Sequence, residues 1–108
     1  MKRKTIRNHR DFLTTPDDKV VTNQFFITKM KNMVKKDARY GVIASKKTFK
    51  LAVQRNRVKR LLRDWVAFNE DLMLPDMDYI FIARAAVLGC SREVGRQKMQ
   101  NALKKLSK

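Results

Sequence analysis

A helix with two chemically opposite sides is predicted in the middle of the chain. From about Ala52 onward, apolar residues recur at the spacing of a helix and form one stripe along it. The stripe consists of Val58, Leu61, Leu62, Trp65 and Leu72. The opposite side is polar and basic, and it carries Asn56, Lys59, Arg60 and Arg63, with Arg55 and Arg57 on its two flanks. Such a helix buries one side in a core and offers the other to an anion.

The charge of the whole chain points to the same kind of partner. The 108 residues include 26 basic and 10 acidic side chains, which gives a net charge of +16. Charge of this size repels itself in a compact fold, and a polyphosphate chain would neutralise it. Between Ser45 and Trp65 the only acid is Asp64, so the acidic partners that accompany basic residues on a solvated helix are missing. Nucleic acid is therefore the favoured partner, and a merely solvated face is the alternative.

Membrane binding and secretion find little support in the sequence. Contact with anionic lipid would require a strongly amphipathic surface helix or an apolar span of about 18 residues, and neither is present. The basic N-terminus is followed by no apolar run, so we expect no secretory signal and a cytoplasmic location. Cys90 is the only cysteine, which excludes an internal disulfide and a cysteine-rich zinc site.

Catalytic motifs are also missing. His9, the only histidine, lies near the N-terminus and is more consistent with a surface residue than with a general base. The chain has no HExxH, Walker, GxSxG or Cys/His zinc spacing. Carboxylates pair at Asp17-Asp18 and at Asp76 and Asp78, where they could hold a cation but are more typical of turns. We expect no catalytic residue and no metal ligand in the protein.

The rest of the chain predicts a small sheet within one domain that spans residues 1–108. Residues 1–7 are predicted to form a flexible basic arm. One strand is predicted from Val20 to Met30 and a second from Arg39 to Ser45, paired as an antiparallel hairpin. The apolar run over residues 79–83 predicts an interior strand, which Arg84 ends.

Two further helices are predicted near the ends of the chain. A short one begins after a cap at Asn8 and ends at Pro16. The last begins after a cap at Ser91, and Gly95 is expected to weaken its start by about 1 kcal/mol relative to alanine. Its buried face is expected to comprise Met99, Ala102, Leu103 and Leu106.

The basic segment also carries a family signature. Ser45-Lys46-Lys47, followed by Arg-Asn-Arg-Val-Lys-Arg-Leu-Leu-Arg from Arg55 to Arg63, resembles the bacterial ribonuclease P protein component. The resemblance spans nearly the whole chain, with further matches at Asp11-Phe12, Gln24-Phe25, Arg39-Tyr40-Gly41 and residues 78–84. It implies an α+β fold, a single compact α-β-β-β-α-β-α domain with a small mixed sheet. It also implies an additional short strand between Val20 and Ser45, and a left-handed β-α-β crossover through the signature helix, although such connections are usually right-handed.

The resemblance further implies a function in tRNA processing. The family's protein is a subunit of ribonuclease P, a ribonucleoprotein endonuclease whose RNA removes the 5′ leader from precursor tRNA. Hydrolysis is expected to reside in that RNA, which would bind most of the required Mg²⁺. The implied partners are the catalytic RNA and precursor tRNA, with no membrane and no obligate protein partner. A ribosomal or other general RNA-binding protein, and a nuclease that acts alone, are the alternatives.

Site residues follow from the same resemblance. The residues implied to face the catalytic RNA are Arg55, Asn56, Arg57, Lys59, Arg60 and Arg63. Those implied to contact the leader are Phe12, Lys46, Lys47 and Arg84. Stacking on Phe12 and backbone contacts from the lysines would tolerate varied leader sequences. Thr28 replaces an aromatic that many members have, so this leader platform is either absent or replaced by Phe26. Many members have glycine soon after the two lysines, whereas this chain has Phe49 and a loop that is longer by one residue.

Overall fold

A computed structural model describes residues 3–6, 16–33 and 37–107. These residues form a mixed sheet and two α-helices, which confirms the α+β class. The strands are β1 (Lys4–Thr5), β2 (Lys19–Thr22), β3 (Phe26–Asn32), β4 (Arg39–Ile43) and β5 (Met77–Ala83). The helices are α1 (Ala52–Phe68) and α2 (Arg92–Leu106), and short 3₁₀ turns span Glu70–Leu72 and Ala85–Gly89. The helix predicted between Asn8 and Pro16, with His9 and Phe12, lies outside the described residues.

The order of strands in the sheet is β1-β4-β5-β3-β2, which corrects the predicted pairing. β3 and β4 do not form a hairpin, because β5 lies between them, antiparallel to β3 and parallel to β4. The residues of β5 explain this position. Tyr79 and Ile80 point to opposite faces of the sheet and both are fully buried, so the strand belongs at the centre.

The segment predicted as one strand from Val20 to Met30 is a hairpin of two strands, β2 and β3. Asn23 makes the turn, because its side-chain oxygen accepts hydrogen bonds from the backbone N–H groups of Phe25 (2.8 Å) and Phe26 (3.0 Å). This hairpin supplies the additional short strand that the resemblance implied.

Helix α1 connects the parallel neighbours β4 and β5, so the predicted β-α-β crossover is confirmed, while its left hand stays a prediction. The N-terminal residues differ from expectation. Residues 3–6 fall within the predicted flexible arm, but β1 pairs with β4 and Ile6 is 3% exposed. The backbone N–H of Ile6 donates to the Tyr40 carbonyl (2.7 Å) and the Arg3 guanidinium donates to the Leu74 carbonyl (2.8 Å). These contacts hold the segment at the sheet edge.

The two faces of the sheet differ in composition. The face under α1 and α2 is aromatic and includes Phe26, Tyr79 and Phe81, with Trp65 of α1 packed against Phe26 at a ring-centroid distance of 6.0 Å. Strand alternation and register place isoleucines on the other face, namely Ile27, Ile43, Ile80 and Ile82. No helix in the described ranges is long and apolar enough to cross a membrane.

Helix α2 closes the aromatic core. Ser91 caps it as predicted, since its hydroxyl accepts a hydrogen bond from the backbone N–H of Val94 (3.2 Å). All four residues of its predicted buried face are buried. Gly95 also faces the core, and a Cβ at this position would lie 2.2 Å from two ring atoms of Trp65. The glycine thus permits a close approach of α2 to α1, which is the structural reason for a residue of poor helix propensity.

Candidate nucleic-acid interface

Helix α1 divides its side chains between the core and the surface as the periodicity predicts. Val58, Leu62 and Trp65 are fully buried, and Val66 joins them. Leu61 is half-buried at the border of the stripe. Leu72 packs against the same core but lies beyond α1, in the 3₁₀ turn Glu70–Leu72. The core side of the helix therefore orients its basic side toward solvent.

A groove of about 550 Å³ runs over the solvent side of α1, and we call it the outer groove. Its lining residues are Val53, Asn56, Arg57, Arg60 and Leu61. Asn56, Arg57 and Arg60 are exposed, and their side chains form no hydrogen bond or ion pair with another residue that the structure describes. Their donors are thus available to an external anion.

Lys59 and Arg63 lie on a different surface, a cleft of about 380 Å³ between α1 and the edge of the sheet. We call this the edge cleft. Its other lining residues come from the N-terminal segment and from β4 and its end, namely Thr5, Ile6, Val42, Ile43 and Ala44. The cationic side chains of Lys59 and Arg63 thus border a mainly apolar surface. Six residues are expected on one RNA-binding face. Five of them are divided between these two surfaces, and the sixth, Arg55, lines neither.

Arg55 is engaged with the protein's own backbone. Its guanidinium donates hydrogen bonds to the carbonyls of Phe49 (2.8 Å) and Lys50 (3.0 Å), which belong to the loop that precedes α1. An arginine carries five N–H donors, so these bonds leave others for a ligand. The contact fixes the position of the loop relative to the helix.

That loop presents Lys46 and Lys47 on a tight turn. The Ser45 hydroxyl accepts a hydrogen bond from the Thr48 N–H (3.2 Å), and the Ser45 carbonyl accepts one from the Phe49 N–H (2.9 Å). Phe49 is 1% exposed and anchors the loop in the core. Both lysines are exposed and make no contact through their ammonium groups with another described residue.

Arg84 follows β5 at the same end of the sheet as this turn. Because β4 and β5 are parallel, with Ile43 opposite Ile82, the chain leaves both strands in the same direction. The exposed Arg84 donates to the Asn23 carbonyl (2.9 Å) in the β2–β3 turn. The structure thus brings Lys46, Lys47 and Arg84 to one end of the sheet, while Phe12, the fourth residue of the predicted leader site, lies outside the described residues.

The idea that Phe26 serves as a substitute aromatic platform is wrong. Phe26 is fully buried beneath α1 and packs against Trp65. Thr28 is two residues along β3 on the same face and is also fully buried, with a hydroxyl that has no hydrogen-bond partner among the described residues. Phe26 therefore cannot stack on a base without opening the core, and Thr28 has no ring with which to stack.

One carboxylate of each pair considered for a cation is used within the fold. Asp18 forms a buried ion pair with Lys31 (2.8 Å), and Asp78 forms one with Arg39 (3.2 Å). The structure contains no group of three acidic, histidine or cysteine side chains that could hold a metal within the ranges it describes. Burial raises the pKa of the Cys90 thiol, so the reactive thiolate is disfavoured.

Electrostatics add to the arrangement at the start of α1. The first turn of this helix contains no acidic residue, so the positive end of the helix dipole lies uncompensated beside Lys46, Lys47 and Lys50. The only acid in α1, Asp64, is placed near its other end and faces Arg96 (3.4 Å) and Arg92 (4.0 Å) of α2. Positive potential is thus concentrated at the loop and the first turns of the helix.

Comparison with known proteins identifies the family of this chain. A sequence model of Ribonuclease P matches residues 1–107, which is nearly the whole chain. The chain belongs to the ribonuclease P protein family. A relative named "Ribonuclease P protein component" from Lactobacillus delbrueckii subsp. bulgaricus is 32% identical over 100 residues, which cover 91% of this chain and 83% of the relative. One from Pseudomonas entomophila is 38% identical over 80 residues, 74% of this chain and 59% of that protein.

Solved structures of the family share the fold. The Staphylococcus aureus RNase P protein matches with a TM-score of 0.79 at 27% identity, covering 97% of this chain and 96% of that one. The RNase P protein from Thermotoga maritima matches with a TM-score of 0.78 at 25% identity, covering 95% and 97%. The family resemblance read from the basic signature is therefore confirmed.

The sequence did not indicate which apolar residues accompany the basic ones. Val53 lies in the first turn of α1 outside the core stripe, and Ile6 lies in a segment predicted to be a flexible arm. Val53 could have been noticed in the sequence, because it is an apolar residue that interrupts the basic side of the predicted helix. No local pattern predicts that Ile6 and Ile43 line a cleft together with Lys59 and Arg63 of α1, because that placement depends on the strand order.

Proposed function

We propose that this protein is the RNA-binding subunit of a ribonuclease P ribonucleoprotein and assists RNA-catalysed removal of the 5′ leader from precursor tRNA. The observation that carries the proposal is the outward side of α1, where Asn56, Arg57 and Arg60 have no partner among the described residues. A helix held rigidly by a packed core presents these donors in fixed positions. That arrangement suits the backbone of a folded RNA, which arginine and lysine contact without reading bases.

In this proposal the catalytic RNA lies over α1. The exposed residues Asn56, Arg57 and Arg60 contact it from the outer groove, and Lys59 and Arg63 extend the contact toward the sheet edge. Arg55 contributes mainly by holding the loop before the helix, through its bonds to two carbonyls. Each phosphate contact releases counterions, so affinity should fall steeply with salt concentration.

The single-stranded leader is proposed to cross the end of the sheet that carries Lys46, Lys47 and Arg84. Two features support this placement: the lysines are exposed on a loop anchored by Phe49, and Arg84 is fixed to the neighbouring turn. Contacts of this kind bind a backbone irrespective of sequence, as varied leaders require. Phe12 stays a predicted stacking platform.

Hydrolysis and the Mg²⁺ that supports it are assigned in this proposal to the RNA subunit. The protein's role is to lower the repulsion between two polyanions, the catalytic RNA and precursor tRNA, and to hold the leader in place. Both effects strengthen substrate binding, and both matter most where little Mg²⁺ is available to screen the phosphates.

Reconstitution tests the proposal directly. The protein is mixed with a bacterial ribonuclease P catalytic RNA and precursor tRNA, and release of the leader is measured across a Mg²⁺ titration. We expect the protein to stimulate cleavage most strongly at low Mg²⁺. Binding to any structured RNA without stimulation would instead identify a general RNA-binding protein, and cleavage after rigorous removal of RNA would identify a nuclease that acts alone.

Replacing Arg60 with alanine tests the proposed RNA face. The substitution should weaken binding to the catalytic RNA and reduce the slope of log affinity against log salt by about 0.7 to 0.9, the value for one lost phosphate contact. Lys104→Ala is the matched control, because Lys104 is an exposed cation on α2 whose ammonium group contacts no other described residue. An Arg60→Ala slope equal to that of the control would remove Arg60 from the interface.

A further inference from the structure

The outer groove contains apolar side chains that phosphate binding does not explain. Val53 is 70% exposed, the largest fraction among the exposed large hydrophobic residues of the described chain. It lies beside Arg57 and Arg60, and Leu61 forms the half-buried wall at the other end of the groove. A ligand with an apolar face that covered Val53 and Leu61 would remove this surface from water, which is favourable.

The spacing of these residues gives the groove a defined size. Val53 and Leu61 are eight residues apart, which corresponds to about 12 Å along the helix axis. Asn56, Arg57 and Arg60 fall between them on the same side of α1. A span of this length can hold an unstacked base together with its flanking phosphates.

The chemistry of the lining favours a base over a duplex backbone. A duplex presents phosphates to the protein, and these would engage Arg57 and Arg60 but leave Val53 in water. An unpaired nucleotide presents an apolar ring face as well as phosphates and base edges. The Asn56 amide, which both donates and accepts hydrogen bonds, can pair with a base edge.

We propose that the outer groove binds an unpaired nucleotide of RNA, with the base against Val53 and Leu61 and its phosphates on Arg57 and Arg60. This inference rests on the proposed RNA-binding function and specifies what α1 recognises: a single-stranded or bulged position rather than a regular helix. Asn56 contacts the edge of the bound base.

Val53→Ala separates contact with the base from contact with phosphate. Alanine has a higher helix propensity than valine, so a change in RNA affinity should not result from unfolding of the protein. The probes are a single-stranded oligouridine, a duplex RNA of the same length and inorganic polyphosphate of similar charge. We expect the substitution to weaken oligouridine binding about three- to tenfold, from the apolar surface lost, and to leave duplex and polyphosphate binding unchanged.

Two further variants complete the design. Val94→Ala is the matched control, because Val94 is a 43% exposed valine on α2, away from the groove, and should change none of the three affinities. Arg60→Ala should weaken all three and lower their salt dependence. If Val53→Ala binds oligouridine as tightly as the unsubstituted protein, or weakens all three probes equally, the inference is overturned.

The outcome is distinguishable from failure of the proposed function. Stimulation of precursor tRNA cleavage by the unsubstituted protein tests membership in the ribonucleoprotein, and the probe affinities test the groove. A protein that fails to stimulate cleavage but loses oligouridine affinity on Val53→Ala retains the base-binding groove. A protein that stimulates cleavage and shows no Val53 effect on oligouridine uses the groove for phosphate alone.

Discussion

The core side and the solvent side of α1 are determined by different physical interactions. On the core side, Trp65 is fully buried and meets α2 so closely that only glycine fits at position 95. On the solvent side, Arg57 and Arg60 are exposed and have no partner within the described chain. One side is specified by complementary shape and the other by unneutralised charge. Stability therefore depends on the first, and the proposed affinity for RNA depends on the second.

This division explains why α1 is stable in the protein although its own charges do not favour a helix. α1 has no acid in its first turn and no base in its last, so its charges do not complement the helix dipole. The burial of four apolar side chains against the sheet and α2 compensates. A helix stabilised by tertiary packing can tolerate an unfavourable surface charge, and that charge then becomes available for binding.

Gly95→Ala should have the largest effect, on stability alone. The added methyl group would overlap the ring of Trp65, which cannot move because it is fully buried. We expect a loss of about 1–3 kcal/mol in the free energy of unfolding, despite the better helix propensity of alanine. Urea unfolding measures it, with Arg60→Ala as the control that should leave the midpoint unchanged. A Gly95→Ala protein as stable as the unsubstituted one would show that the two helices can separate at no cost.

Arg55→Ala should have an intermediate effect, because Arg55 is expected to contribute both to stability and to RNA binding. Loss of the bonds to the Phe49 and Lys50 carbonyls should lower the free energy of unfolding by about 1–2 kcal/mol. The freed loop should also reduce the preference of the reconstituted enzyme for precursor over mature tRNA. Arg57→Ala is the matched control, since that arginine bonds to no described residue and should leave stability unaltered.

The two measurements on Arg55→Ala separate its possible roles. Lower stability together with a lost preference for the leader is expected of a residue that positions Lys46 and Lys47. Weaker binding of the catalytic RNA, with normal stability and an intact preference, would make Arg55 a direct RNA contact like its neighbours.

Asp64→Asn should have the smallest effect and the opposite sign. Its ion pairs with Arg96 and Arg92 are partly exposed, so the change in unfolding free energy should stay within about 1 kcal/mol. Removal of the only acid in α1 should strengthen RNA binding about two- to threefold at low salt and have no effect at high salt. Glu93→Gln, which removes an exposed acid in the first turn of α2, is the control. Weaker binding by Asp64→Asn would show that Asp64 orients a side chain that contacts RNA.

Local sequence patterns predict the elements of this fold better than their arrangement. The periodicity of α1, the cap at Ser91 and the interior position of residues 79–83 are each confirmed, because each depends on neighbours in sequence. The pairing of β4 is not predictable in this way. A hairpin with β3 is the simplest connection, yet β5 separates the two, since a strand buried on both faces gains more at the centre of the sheet.

The candidate site shows the same limit. Helical geometry places the basic residues of α1 away from the core, and the structure agrees. It does not indicate that Lys59 and Arg63 face β4 whereas Arg57 and Arg60 face solvent, because that division depends on which element packs beside the helix. The hydrogen bonds from Arg55 to two carbonyls are equally unpredictable from the sequence, since they require the folded shape of the loop.

The contact between Trp65 and Gly95 also provides an optical label. Trp65 is the only tryptophan in the chain, and it lies in the seam between α1 and α2, on the side of α1 opposite the outer groove. Its emission should change when the seam opens and stay constant when RNA covers the cations. Intrinsic fluorescence can thus monitor unfolding in the unmodified protein while a labelled RNA monitors binding in the same cuvette.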